Sequence, residues 1–372
     1  MKLCYAGPFT DPSGYGEATR NIIYSLHVAG VELTTQKISF TNGEFDSGPA
    51  GKIADQLEHA FSDYKVKILH VTPDIYKHYT EMSKHHIGHL FWETDRLPAG
   101  WTEACNKMQE IWTGTEGQKK MLIESGVKVP IFVFPQPTIT DLPKFQPFEF
   151  GFNGFVFYSI FDWIERKNPK ALLHAFWKEF KGHTDVCLLL KVHRNNYNQD
   201  AINMMLQDLK GWKNSLGFKN CPKVFVSTKL FSYEDKHRFH ETGDVFVSAH
   251  RGEGWGIPQI EAMLHGKPVI STGKGGIHEY MKYGQGVKVK YEDVIIPKTF
   301  GKYYEPGMFW AEIDKEDLQA TLRKFYNYGT TSKKSILTLL GGKGKNFAKN
   351  LCNPMEVGKL MRERLEVIQK NL

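Results

Sequence analysis

The chain has 372 residues, 41% of them hydrophobic and 24% charged, with a net charge of +7. This length exceeds what one hydrophobic core usually serves, so two domains are expected, and no apolar run is long enough to span a membrane. Gly7-Pro8 breaks the N-terminal segment too early for a signal peptide, and five scattered cysteines without CxxC spacing suit free thiols in a reducing, cytoplasmic setting. The positive balance suits a phosphorylated substrate, an anionic membrane surface met peripherally, or nucleic acid. Because the lysines form no single block, charge alone selects none of these.

In chain order, residues 2–6 read as a first strand. A loop containing Ser13-Gly14-Tyr15-Gly16 follows, then a helix over 17–29 with Ala18, Ile22, Ile23 and Leu26 on one face. Strand, glycine loop and helix open an α/β domain. Thr19 stands where a dinucleotide fingerprint has its third glycine, so the loop is not that fingerprint. Further strands are expected over 31–40, 66–71 (containing His70) and 87–92. The last leads directly into Glu93-Thr94-Asp95-Arg96, and side chains at such strand ends line the ligand crevice of open α/β sheets. Asp95 and Arg96 also suit a local ion pair. Residues 101–109 and 115–125 read as helices, with strands over 110–114 and 129–134. Pro135, Pro137, Pro143 and Pro147 then mark a linker.

The second half repeats the pattern. Strands are expected over 155–160, 186–192 (containing Lys191), 224–227 (followed by Thr228 and Lys229) and 244–249, with a helix over 168–180. Glu165-Arg166-Lys167 lies in the loop before that helix. Residues 249–281, AHRGEGWGIPQIEAMLHGKPVISTGKGGIHEYM, organise the chain. Gly254, Trp255 and Gly256 run into Pro258, a residue favoured at a helix start, and Gly266 suits the end of that helix. A short strand over 268–271 leads to Gly273, Gly275 and Gly276, with a second helix expected near Ile277. Helix N-termini beside glycines form an anion site. Glu253 and Glu261 stand in this anion site and do not suit phosphate, so they are read as holding hydroxyls. Residues 354–372 read as an amphipathic helix packing across a domain junction.

Other clusters carry less. His85, His86 and His89 are densely spaced, but Gly88 and the following strand argue against one helical face, so no metal site is assigned. His237 and His240 read as a surface face. The GGKGKN run around Lys343 and Lys345 lacks a P-loop's spacing and reads as a solvated turn.

Taken together, Glu253-x7-Glu261 within EGWGIPQIE, the following GKPVIST, FDWIERKNPKALLHAF and WETDRLPAGW resemble the family 4 retaining glycosyltransferases of GT-B fold. The resemblance implies two Rossmann-like domains facing each other across a cleft. Residues 1–147 would be the acceptor-side domain, 148–353 the nucleotide-sugar domain, and 354–372 the terminal helix. It implies that Glu261 hydrogen-bonds the ribose hydroxyls of a UDP- or GDP-sugar. Glu253 would contact the transferred sugar, beside the backbone of Gly254, Trp255, Gly256 and Ile257. Arg166 and Lys167 would neutralise the diphosphate, and Gly14, Tyr15 and Gly16 would close over it. Lys191, Thr228 and Lys229 would lie along the donor. Glu93 stands where many relatives carry an active-site histidine, and Asp162 where many carry an arginine whose charge Arg166 would replace.

No cofactor or metal is expected, since Asp-x-Asp is absent and Arg166, Lys167 and helix N-termini supply positive potential. The expected acceptor is a saccharide or glycan, with a hydroxylated base in DNA as the alternative. A stable protein partner is not implied. An epimerase or phosphorylase on the same scaffold, or a non-catalytic nucleotide-sugar binder, are the competing readings. The phosphorylase lacks a cofactor-lysine signature here, and four charged site residues argue against a binder.

Overall fold

The computed structural model describes residues 2–40, 45–81, 84–194, 198–282 and 284–372. Its contacts define two units. Residues 1–142, 296–308 and 349–372 form the first, and residues 143–295 and 309–348 form the second. A division at 147 and 353 therefore leaves out the return of 296–308 to the first unit.

Among the described residues, the first unit holds a six-stranded parallel sheet. Its strands are β1 (Lys2–Gly7), β2 (Glu32–Lys37), β3 (Val66–Leu69), β4 (His85–His89), β5 (Glu110–Thr113) and β6 (Ile131–Val133). They are ordered β2-β1-β3-β4-β5-β6. The helices are α1 (Gly14–Val28), α2 (Gly48–Gln56), α3 (Trp101–Cys105), α4 (Glu116–Glu124) and, at the C-terminus, α11 (Pro354–Lys370). Strands β3 and β5 are buried throughout, as parallel strands covered on both faces should be. Helix α1 begins at Gly14, so the expected glycine loop is its first turn. Ser13 caps it by accepting from Gly16 N at 3.1 Å. Helix α11 packs on α1 inside this unit. Ser25 Oγ donates to Pro354 O at 2.6 Å, Arg362 Nη1 donates to Ala29 O at 2.7 Å, and a Cβ on Gly358 would fall 2.1 Å from Ser25 O.

The second unit repeats the architecture. Its sheet strands are β7 (Phe155–Asp162), β8 (Val186–His193), β9 (Lys223–Ser227), β10 (Val245–Ser248), β11 (Val269–Thr272) and β12 (Val287–Val289). They are parallel, in the order β12-β11-β10-β7-β8-β9. An antiparallel hairpin of β13 (Tyr291–Ile295) and β14 (Phe309–Ile313) was not expected. The helices are α5 (Pro169–Glu179), α6 (Gln199–Ser215), α7 (Tyr233–Thr242), α8 (Ile257–Leu264), α9 (Lys315–Thr330) and α10 (Lys334–Leu351), the last crossing into the first unit from Lys349. Phe157, Phe176, Trp177, Phe180, Leu188, Leu190 and Phe325 fill the core.

Three local expectations are corrected. The second glycine turn leads only to a single 3-10 turn, Gly276–Glu279. Ile277 N is taken by Trp255 O at 2.8 Å, and Gly284 and Gly286 follow too closely for a stable helix. The GGKGKN run is not a solvated turn but lies inside α10. There Gly341 sits so close to Gly266 that a Cβ would come within 1.9 Å of its carbonyl oxygen. His237 and His240 are not a surface face, being 3% and 0% exposed on α7.

Candidate active site

In each sheet the strand order reverses once, between β1 and β3 in the first unit and between β7 and β10 in the second. The loops leaving the carboxyl ends of strands at such a point form a ligand crevice. In the second unit these loops carry Arg166, Lys167 and Glu253.

The two loops are laced together. Arg251 N donates to Arg166 O at 2.7 Å, and Arg166 Nη1 donates back to Gly252 O at 2.7 Å. Arg251 also pairs with Glu165 at 2.6 Å and with Glu312 on β14 at 2.7 Å. Asn168, at φ +52°, turns the chain into α5 and donates to Glu312 Oε1 at 3.3 Å. Held this way, Lys167 Nζ lies 2.5 Å from Glu253 Oε2, and Arg166 Nη1 lies 4.0 Å from Glu253 Oε1. Burial pushes the Glu253 carboxyl up, but Lys167 and Arg166 outweigh it and hold its pKa at about 2. Glu253 is therefore a carboxylate at any neutral pH.

The second glycine turn supports this loop from below. A Cβ on Gly275 would fall 2.8 Å from Glu253 O, and one on Gly276 would fall 2.2 Å from Trp255 O. Both glycines, like Gly256, have positive φ, so neither position suits a side chain. His250 ties the turns together, with Nε2 3.1 Å from Lys274 O and Nδ1 3.0 Å from Ser248 Oγ. A carbonyl only accepts, so the proton sits on Nε2. Burial keeps this ring neutral, with a pKa of about 4.

Glu261 lies in the second turn of α8 with only 4% of its side chain exposed. Lys236 Nζ is 2.5 Å from Oε1, and His240 Nε2 is 3.5 Å from Oε2. Burial opposes its charge, but Lys236 and then His240 overcome that and hold the carboxyl well below the usual carboxylate range. Lys236 and His240 were missed as site residues. Their i, i+4 spacing, which puts both on one face of α7, was the available signal.

Other candidates fall nearby or elsewhere. Lys191, 5% exposed, lies with its ammonium 5.4 Å from the Phe231 ring, and burial draws its pKa down to about 8. It is in register with Ser227, so it stands beside the strand that Thr228 and Lys229 continue. Gly254, Trp255 and Ile257 are buried around the start of α8. Asp162 pairs with His193 at 3.3 Å.

In the first unit, Gly16 is sterically required, since a Cβ would fall 2.1 Å from Asp11 O, whereas Gly14 faces open space. Tyr15 lies over His70, with ring centroids 5.5 Å apart. His70 and His89 stack at 4.5 Å, and the Tyr5 hydroxyl lies 2.9 Å from one Nδ1 and 3.1 Å from the other. Strand β4 sends His89 and His86 to opposite faces, and His86 Nε2 accepts from Glu81 N at 2.9 Å. This disperses the dense histidine spacing. Glu93 accepts from the Tyr304 hydroxyl at 3.2 Å, and Tyr304 stacks on Trp92 at 5.3 Å. Arg96 is 4.0 Å from Asp95 and donates to Gly307 O at 2.8 Å. Residues 296–308, which supply Tyr304 and Gly307, were unread in the sequence.

Two six-stranded parallel sheets, each with one reversal of strand order, are the arrangement of the GT-B fold. Residues 153–297 match the model of the family described as glycosyl transferases group 1. The chain is 27% identical over 179 residues to mannosylfructose-phosphate synthase of Agrobacterium fabrum. That match covers 48% of the chain, which spans about a third (34%) of the relative's length. Among solved structures, sucrose-phosphate synthase from Thermosynechococcus elongatus is similar at 13% identity and a TM-score of 0.71, covering 100% of both chains. Anabaena HepE in complex with UDP and glucose is similar at 13% identity and a TM-score of 0.67, covering 99% of this chain and 100% of that one. At such identities these likenesses establish the GT-B fold. Among the described residues, no helix is long and apolar enough to cross a membrane.

Proposed function

We propose that the protein transfers a sugar from a nucleoside diphosphate sugar to an acceptor hydroxyl, with retention at the anomeric carbon and without a metal. The carrying observation is the pair of carboxylates at α8. Glu253 precedes the helix and Glu261 lies within it, and a lysine stands 2.5 Å from each. Such groups accept hydrogen bonds from hydroxyls, while Lys167, Arg166 and the α8 N-terminus face the phosphates. HepE has been solved with UDP-glucose, which favours a UDP-sugar donor here. Two relatives are named for making sugar phosphates, which favours a saccharide acceptor over DNA. Five cysteines without disulfides suit a cytoplasmic setting.

In this reading the bond from the anomeric carbon to the β-phosphate oxygen breaks, and its electron pair leaves with the diphosphate. Lys167 and Arg166 stabilise that growing charge as donor hydroxyls take over part of the Glu253 carboxylate. The acceptor oxygen bonds to the same face of the sugar, and its proton passes to the departing phosphate oxygen. In the first unit, Glu93, held by Tyr304, and the α1 turn of Gly14, Tyr15 and Gly16 are the candidates for substrate contact.

A thermal-shift and mass-spectrometry screen of UDP-, GDP- and other nucleotide sugars tests the reading. One donor should raise the melting temperature and release its nucleoside diphosphate with a saccharide acceptor present. Failure of every nucleotide sugar to shift the melt or turn over would overturn it.

A further inference from the structure

Glu261 is almost wholly enclosed by groups from three elements. Helix α7 presents Lys236, His237 and His240, strand β7 presents Tyr158 behind His240, and His265, just after α8, stacks on His240. His237 and His240 are neutral. Burial draws His240 down to about 4 and His237 to about 2, and His237 is hydrogen-bonded to His265 at 2.9 Å. His265 in turn bonds to Glu241 at 2.7 Å. Lys236 is therefore the full positive charge in contact with Glu261. A carboxylate oxygen only accepts, so His240 presents Nε2–H to Glu261 and its Nδ1 accepts from the Tyr158 hydroxyl at 3.1 Å.

We propose that Lys236, with His240 beside it, is a positioning residue that keeps Glu261 ionised and aimed for the ribose diol of the donor. This rests on the nucleotide-sugar reading above. Each carboxylate oxygen accepts two hydrogen bonds, so Lys236 on Oε1 and His240 facing Oε2 leave one acceptor site on each oxygen. Those two sites match the two adjacent hydroxyls of a ribose. Without Lys236, only His240 and His237 oppose burial, so Glu261 shifts toward the protonated form, in which one acceptor site becomes a donor.

The test compares wild-type protein with Lys236→Met and Lys236→Arg. Donor affinity is measured between pH 5.5 and 8, using the nucleotide sugar that binds wild type best, and the Glu261 carboxyl is titrated by carbon-13 NMR. Wild-type affinity should not follow Glu261 over this range. Lys236→Met should bind at least about tenfold more weakly, increasingly so at lower pH, with Glu261 titrating higher, and Lys236→Arg should restore most of both. A purely structural lysine would lower the melting temperature without moving the pH profile. An unchanged Glu261 titration in Lys236→Met, or an unchanged pH profile of donor affinity, would overturn the proposal. If Glu261 titrates upward in the variant while wild type binds no nucleotide sugar, the pairing stands and the donor reading fails.

Discussion

Lys167 and Glu253 meet at 2.5 Å where the loops leaving β7 and β10 come together. Each is mostly buried, at 14% and 11% exposure, and Lys167, together with Arg166, keeps the Glu253 carboxyl ionised. Glu253→Gln should lower turnover by about 100-fold or more, because a neutral amide neither balances Lys167 nor accepts a sugar hydroxyl as strongly. It should cost only about 1–3 kcal/mol of stability. Turnover and urea unfolding of the variant check both, and wild-type turnover would remove Glu253 from the chemistry.

Buried histidines give the protein an acid limit of their own. His70, His89, His237, His240, His250 and His278 are all held below their usual value of 6.5, foremost by burial. Below pH 6.5 the unfolded chain takes up protons that the folded chain refuses, so stability falls as pH falls. Each such histidine contributes a slope of about 1.4 kcal/mol per pH unit until its folded pKa is reached. For His240 and His250 that is about 4, and for His70 about 3. Glu253 acts lower, its contribution being complete above 4.5 and lost as pH falls to about 2. Denaturant unfolding should therefore weaken sharply between pH 6.5 and 5, before carboxylates titrate. Equal stability at pH 7 and pH 5 would contradict this.

Two adjacent glycines in α10 should behave oppositely. Gly341→Ala places a methyl group 1.9 Å from Gly266 O, a backbone atom that cannot swing aside, and should destabilise by about 1–3 kcal/mol. Gly342 faces open space, so Gly342→Ala should gain up to about 1 kcal/mol of helix propensity. Paired unfolding curves decide this, and equal effects would refute the close approach of α10 to Gly266.

A buried acid ties α11 to the first sheet. Glu110 on β5 is 1% exposed, accepts from Trp112 Nε1 at 2.7 Å, and pairs with Arg364 of α11 at 2.5 Å. Arg364→Leu strands that carboxylate and should cost about 3–5 kcal/mol, and adding Glu110→Gln should recover part of it. An Arg364→Leu protein as stable as wild type would show that α11 is held by its apolar face alone.

Much of this was legible because parallel strands announce themselves. Runs such as 66–71 and 186–192 are largely apolar, broken only by Lys67, His70 and Lys191, and glycine, proline and capping residues mark the helices between them. The carboxylates were legible too, since Glu253 and Glu261 flank a helix start that Gly256 and Pro258 signal. The partners of those carboxylates were not equally visible. Lys167 lies 86 positions from Glu253, Lys236 was not singled out, and His240 was read with His237 as a surface face because sequence does not show that α8 covers it. The hairpin tip at 296–308 was unread because it has no periodicity of its own, and Tyr304 acquires meaning only through its contact with Glu93.

The most direct measurement is calorimetric titration of the best nucleotide sugar into wild type, Glu253→Gln and Glu261→Gln. The account predicts saturable binding to wild type and at least about tenfold weaker binding to each variant, with all three proteins folded. Equal affinity in all three, or no binding of any nucleotide sugar to wild type, would contradict a donor site at the start of α8.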